Sequence, residues 1–169
     1  FLPYTSHAVA SEGVIVVATA TVEYVGLGIN NSGFDLKIPP GASVILPPIV
    51  RLFGTELRLA GHLSGCDSFI IENGGTLHLM HGSSQNGSTF VAGTNTFSFD
   101  NIYIVNGGEL LIEGSMRLKT KNLTIGGDAA TSKISTLRIV GTPGNSVMTP
   151  PPAVNISSEW LAITFAGQI

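Results

Sequence analysis

The sequence predicts an all-β chain, a parallel β-helix or solenoid of short strands and glycine turns, and three observations carry that prediction. Residues 69–79 read FIIENGGTLHL and residues 102–112 read IYIVNGGELLI, so one pattern of apolar run, Asn-Gly-Gly, polar residue and second apolar run recurs at an offset of 33. Self-similarity at a few tens of residues marks architectures in which each unit buries its apolar face only against its neighbours. Short alternating runs ended by glycine or proline fill much of the rest, with no helical period. Glycine pairs recur at 74–75, 107–108 and 126–127, where a chain turning sharply between strands uses the positive φ that glycine accepts. A β-sandwich of short strands is the alternative.

The elements follow in order. Residues 1–11 have no periodic pattern and read as an arm. Residues 13–29, GVIVVATATVEYVGLGI, are rich in Val and Thr and shorter than the roughly 20 residues of a spanning helix, so they read as one strand or two broken near Thr19 to Thr21. Together 1–29 form an N-terminal apolar strand or arm, and 30–169 one solenoid-like domain. NNSG at 30–33 is a turn, FDLKI at 34–38 an alternating strand ended by Pro39-Pro40-Gly41, and 42–46 another strand closed by Pro47-Pro48. Leu57, Leu59 and Leu63 share a register within 51–63. Strand starts near Ile102 and Leu123 lie 21 residues apart, which suits one circuit of a β-helix. The step of 33 is then one circuit plus an insertion of about a dozen residues, placed in the polar stretch 81–98, with a second insertion at 141–155 before the last strand, SEWLAITF. Alternation turns Ile71, Leu77, Leu79, Ile104, Leu110, Ile112, Ile125, Leu137 and Ile139 inward as stacked columns, and Asn73 and Asn106 form a ladder at the turns.

Four segments carry a family likeness: IPPGASVIL (38–46), ELRLAGHLSG (56–65), IENGGTLHL (71–79) and VNGGELLIEG (105–114). With their Pro-Gly-x-x-Val opening and Gly-Gly-x-Leu coil, residues 38–141 resemble the G8-type and related right-handed parallel β-helix regions of extracellular surface proteins. The tryptophan that often begins a G8 region has no counterpart, since Trp160 lies at the other end. The resemblance implies a β-helix in an extracellular setting.

Composition agrees with a secreted chain. Charged residues are 11%, the net charge is -3 and the mean hydropathy is +0.37, so part of the surface calls for cover by glycan or by other subunits. The weak acidity argues against nucleic acid, which needs clustered basic residues. Arg117, Lys119 and Lys121 alternate onto one solvated strand face. The chain begins with Phe, which reads as a processed terminus or a segment of something longer. Sequons at Asn30, Asn86, Asn122 and Asn155 point to N-glycosylation on the secretory route. The single Cys66 excludes an intrachain disulfide; it reads as a buried small hydrophobe, with an intermolecular bridge as the alternative.

Catalytic signals are sparse. The acids are scattered in sequence, and the nearest grouping is Glu109 and Glu113 with Arg117. Side chains four apart on a strand sit about 13 Å apart, beyond the roughly 5–9.5 Å of paired glycosidase carboxylates. In the repeat Glu109 faces Thr76 and Glu72 faces Val105, so no acidic pair stacks. His78 and His81 point to opposite strand faces, His62 joins them only if folding brings it close, and Gly126-Gly127-Asp128 does not repeat as a calcium nonapeptide does. No catalytic, cofactor or metal residue is assigned and no cofactor is expected. Tyr103 and Trp160 are available for stacking on sugar, although packing is the commoner role of such aromatics.

The leading expectation is a structural extracellular glycoprotein, not an enzyme, that is a subunit of a self-associating assembly or filament. Strand addition from the N-terminal region, through Val14, Ile15, Val16, Val17, Val22, Tyr24 and Val25, would link it to copies of itself or to neighbouring extracellular domains. The competing reading of the same residues is the first coil or cap of the chain's own body. A glycan- or protein-binding ectodomain module of a larger cell-surface protein is the second function, and a carbohydrate-active enzyme ranks behind both.

Overall fold

The computed structural model describes residues 13–16, 36–38, 40–46, 48–85, 95–127, 133–141, 154–164 and 167–169. Within them the regular elements are all strands: β1 Gly13–Val16, β2 Leu36–Ile38, β3 Ala42–Ile45, β4 Ile49–Phe53, β5 Glu56–Leu59, β6 His62–Ser64, β7 Ser68–Glu72, β8 Thr76–Leu79, β9 Ser84–Gln85, β10 Thr96–Val105, β11 Glu109–Glu113, β12 Met116–Gly126, β13 Ser135–Val140, β14 Val154–Ile163 and β15 Gly167–Gln168. They form a four-stranded sheet (β1-β3-β6-β9), a five-stranded sheet (β14-β12-β10-β7-β4) and a six-stranded sheet (β15-β13-β11-β8-β5-β2). The pairings are parallel. Successive strands go to different sheets, and the chain returns to each sheet one neighbour along. The class is therefore all-β with parallel sheets.

The register explains the core. Val50, Phe69, Ile102, Leu123 and Leu161 form one row across the five-stranded sheet, and Leu52, Ile71, Ile104, Ile125 and Ile163 a second. In the six-stranded sheet Leu57, Leu77, Leu110 and Leu137 are aligned, as are Ile38, Leu59, Leu79, Ile112 and Ile139. Together with Val44 and Leu63 of the four-stranded sheet, most of these side chains make one apolar cluster. Phe69 meets Phe99 edge-on, ring centroids 5.2 Å apart. The offset of 33 is the register itself, pairing Leu77 with Leu110 and Ile71 with Ile104.

Ile139 is a correction. It aligns with Ile112 as expected but is 41% exposed, because the next strand, β15, pairs only with Ser135 and Thr136 and leaves Ile139 uncovered. Both insertions are also shorter than expected. β9 lies inside 81–98 and β10 begins at Thr96, with Phe97 and Phe99 buried; polar neighbours hid the two-residue alternation of TFSF. β14 begins at Val154, so Asn155 is on a strand. Residues 86–94 and 142–153 lie outside the described residues, as do the turn at 30–33 and the break near Thr19 to Thr21.

The Asn-Gly-Gly repeat has a backbone cause. Asn73 and Gly74 have φ of 51° and 81°, Asn106 and Gly107 of 48° and 85°. Each pair is closed by an N–H donated three residues back, Gly75 to Glu72 O at 2.8 Å and Gly108 to Val105 O at 2.9 Å. Asparagine is the ordinary side chain that best tolerates this left-handed region, and glycine follows without strain. The second glycine serves contact: a Cβ on Gly75 would lie 2.1 Å from Leu52 O, and on Gly108 2.0 Å from Ile71 O. The expected Asn73–Asn106 ladder runs through the backbone, Asn73 N–H donating to Asn106 O at 3.0 Å. A side-chain ladder stands elsewhere, on the outer face of the five-stranded sheet, where Asn122 Nδ2 donates to Asn101 Oδ1 at 2.7 Å and Asn101 Nδ2 to Ser68 Oγ at 3.0 Å.

Candidate functional site

Three surfaces gather side chains that the sequence keeps apart. The first is a corner of the five-stranded sheet. Phe99, Thr120 and Ser158 are in register, and so are Asn101, Asn122 and Trp160; Asp100, Lys121 and Glu159 stand at the position between them, where the ladder pairing is interrupted with no change of register. With Asp67 from the neighbouring strand's entrance, they line a groove of about 420 Å³. Lys121 Nζ lies 2.7 Å from Asp100 Oδ1, and this hydrogen bond and the Asp100 charge raise the lysine pKa above its ordinary value. Both partners are well exposed, so solvent screens the pair. The acids that look scattered in sequence are thus assembled by topology, and the expected basic face is present too, with Arg117, Lys119 and Lys121 all exposed.

The second surface is the outer face of the six-stranded sheet. His78 Nε2 lies 3.1 Å from Glu113 Oε2 and its Nδ1 3.5 Å from Glu56 Oε1, while Glu56 also holds Arg58 at 3.1 Å. Glu109 pairs with Arg138 at 2.8 Å. Glu109 and Glu113 therefore serve different partners, and Glu113 is buried under His78. His62 Nδ1 shares a hydrogen bond with Ser84 Oγ at 3.0 Å. Among the described residues no group of three or more His, Cys, Asp or Glu is arranged to hold a metal ion.

The third surface is β14, the late edge of the five-stranded sheet. Its inward residues Leu161 and Ile163 continue the two buried rows yet are 56% and 49% exposed, since among the described residues no strand pairs with β14 on its far side. On its outward face Trp160 is 75% exposed. Trp160 and Tyr103 border a shallow groove of about 270 Å³ whose floor includes Asn122, Leu123 and Thr124. The exposure of Trp160 is not visible in EWLAITF, whose alternation resembles that of any strand. The Ser68–Asn101–Asn122 ladder was legible in principle, since those residues repeat at the register offsets of 33 and 21.

The remaining sequence-based sites divide. Val14, Ile15 and Val16 lie on β1, whose backbone pairs in register with β3 of the same chain, from Gly13 with Ala42 to Val16 with Ile45. That pairing matches the reading as a coil or cap of the chain's own body. Val17, Val22, Tyr24 and Val25 lie outside the described residues, as do Asn30 and Asn86. Asn155 is exposed and Asn122 half-buried. Cys66 is buried and its Sγ–H donates to Ser68 O at 3.3 Å. Burial pushes the thiol up to about 12, against the smaller lowering effect of that hydrogen bond, so an intermolecular bridge has no accessible sulfur. Among the described residues no helix is long and apolar enough to cross a membrane. Compared with family models, curated proteins and solved structures, the chain matches none of them.

Proposed function

We propose that the chain is a parallel β-helix of an extracellular glycoprotein, with a structural rather than catalytic role, that self-associates through its late end. The rotation of successive strands among three parallel sheets supports the β-helix over the sandwich, whose sheets are antiparallel. The G8-like segments agree with that reading and with an extracellular setting. One observation carries the function: Leu161 and Ile163 are core positions by register and surface by exposure. Apolar rows left open at a strand edge favour pairing with another polypeptide.

A second copy is the partner that fits. At the early edge the same rows are closed, Val50 and Leu52 being 1% and 0% exposed, so a head-to-tail contact would not extend those two rows. Two late ends meeting about a two-fold axis present the same rows to each other, and such an isologous contact closes as a dimer. The same geometry gives the donated N-terminal arm a lesser role. Sedimentation velocity over a range of concentrations tests this reading. The full chain is expected to associate, and the double variant Leu161→Asp/Ile163→Asp to remain monomeric with an unchanged circular dichroism spectrum. A wild-type chain monomeric throughout contradicts it. The binding-module reading has its own support in the Tyr103–Trp160 groove, where aromatic faces flank an amide and a hydroxyl.

A further inference from the structure

The groove between Tyr103 and Trp160 contains a complete glycosylation sequon. Asn122, Leu123 and Thr124 all line it, together with Leu161 and Ala162. Asn122 is directly in register with Trp160 on the adjacent parallel strand, and Tyr103 with Thr124 on the other side. Neighbouring parallel strands lie roughly 4.8 Å apart and in-register side chains share a face. A pyranose attached at Asn122 is therefore within reach of the indole. We propose that the N-glycan of this chain's own Asn122 fills the groove, the apolar C–H face of its first sugars packing on Trp160 and Tyr103.

Three observations carry the assignment. Trp160 is the chain's only tryptophan and is the most exposed large apolar residue among the described ones, so it has a large apolar face to cover. The groove is shallow and open, as a covalently tethered ring requires, and its floor mixes apolar and polar groups as a sugar's faces do. Attachment is also compatible with the ladder. Forming the N-glycosidic bond replaces one of the two Nδ2 hydrogens of Asn122, with the lipid-linked oligosaccharide as donor and its diphosphate carrier as leaving group. The hydrogen that remains suffices for the 2.7 Å bond to Asn101 Oδ1. The ladder then becomes a mount that fixes the glycan's direction.

The inference rests on the extracellular reading, and the test separates the two. The full chain, secreted from a eukaryotic host, is mapped by glycopeptide mass spectrometry, and Trp160 fluorescence is recorded with acrylamide quenching before and after enzymatic deglycosylation. Asn122 is expected to be occupied, and release of the glycan to shift the emission to the red and increase quenching. Because enzymatic release leaves Asp at 122, Thr124→Ala, which removes the sequon without touching the amide, is expected to give the same red-shifted emission, whereas Thr124→Ser is expected to keep the wild-type spectrum. Glycan at Asn30, Asn86 or Asn155 with none at Asn122 overturns this inference alone. Occupied Asn122 with Trp160 emission and quenching unaffected by release also overturns it. No glycan at any of the four overturns the glycoprotein reading as well.

Discussion

The two edges of the five-stranded sheet occupy the same register rows and have opposite fates. On β4, Val50 and Leu52 are closed off; on β14, the residues at the far end of those rows, Leu161 and Ile163, are about half exposed. Both strands alternate, and both place aliphatic residues inward. The difference lies in what covers them. Alternation fixes which face a side chain takes, while burial needs a further layer beyond the strand. Edge protection differs as well. β4 carries Arg51, which pairs with Glu72 of β7 and lies over Phe53, whereas β14 has neither Lys, Arg nor Pro, and its last four residues, WLAI, are uncharged. Charge and proline are the usual devices that keep an edge from pairing. β14 lacks them.

The largest expected effect breaks or confirms this contrast directly. Leu52→Ala should cost about 2–5 kcal/mol in chemical denaturation, as a core truncation does, and Leu110→Ala the same in the six-stranded sheet. Leu161→Ala in the dissociated chain should stay within about 0.5 kcal/mol, as at a surface. Equal losses at 52 and 161 would mean that the edges are alike.

A pH series sharpens the buried side of the comparison. Cys66 leads into β7, the strand that covers β4, and its folded pKa is about 12 against 9.0 when free. The thiol's contribution is fully present below pH 9. Between 9 and 12 the unfolded chain releases a proton that the folded one keeps, so stability falls with a slope of about 1.4 kcal/mol per pH unit. Cys66→Ala should remove that slope, measured from denaturation midpoints across the window. A thiol that reacts at once with a disulfide reagent at neutral pH would show this side to be open.

The smallest effect concerns the turns. Gly74 needs glycine for its φ alone, since a Cβ there meets nothing within 4 Å; Gly74→Ala should cost about 1–2 kcal/mol. At Gly75 the Leu52 carbonyl blocks any Cβ, so thermal denaturation should show Gly75→Ala losing clearly more.

Much of this was legible from the chain. The offset of 33 gave the pairing of Leu77 with Leu110, and period two gave the inward faces, because both follow from local geometry repeated in sequence. What stayed hidden depends on where the layers stop. Ile139 and Ile112 are the same residue in the same row, and only the short reach of β15 separates them. Phe97 and Phe99 were masked by the polar residues around them. The corner of Asp67, Asp100, Lys121 and Glu159 lies where the inward alternation slips by one residue within the strand, from Phe99 to Ile102 on β10, and it brings together residues up to 92 positions apart.

Hydrogen exchange on the full chain, compared at dilute and associating concentrations, tests the central claim most directly. If two late ends pair, the backbone amides of β14, residues 154–163, gain protection on association while those of β4, residues 49–53, do not change. Association that protects β4 instead, or that leaves β14 exchanging as fast as in the dilute chain, would contradict the account.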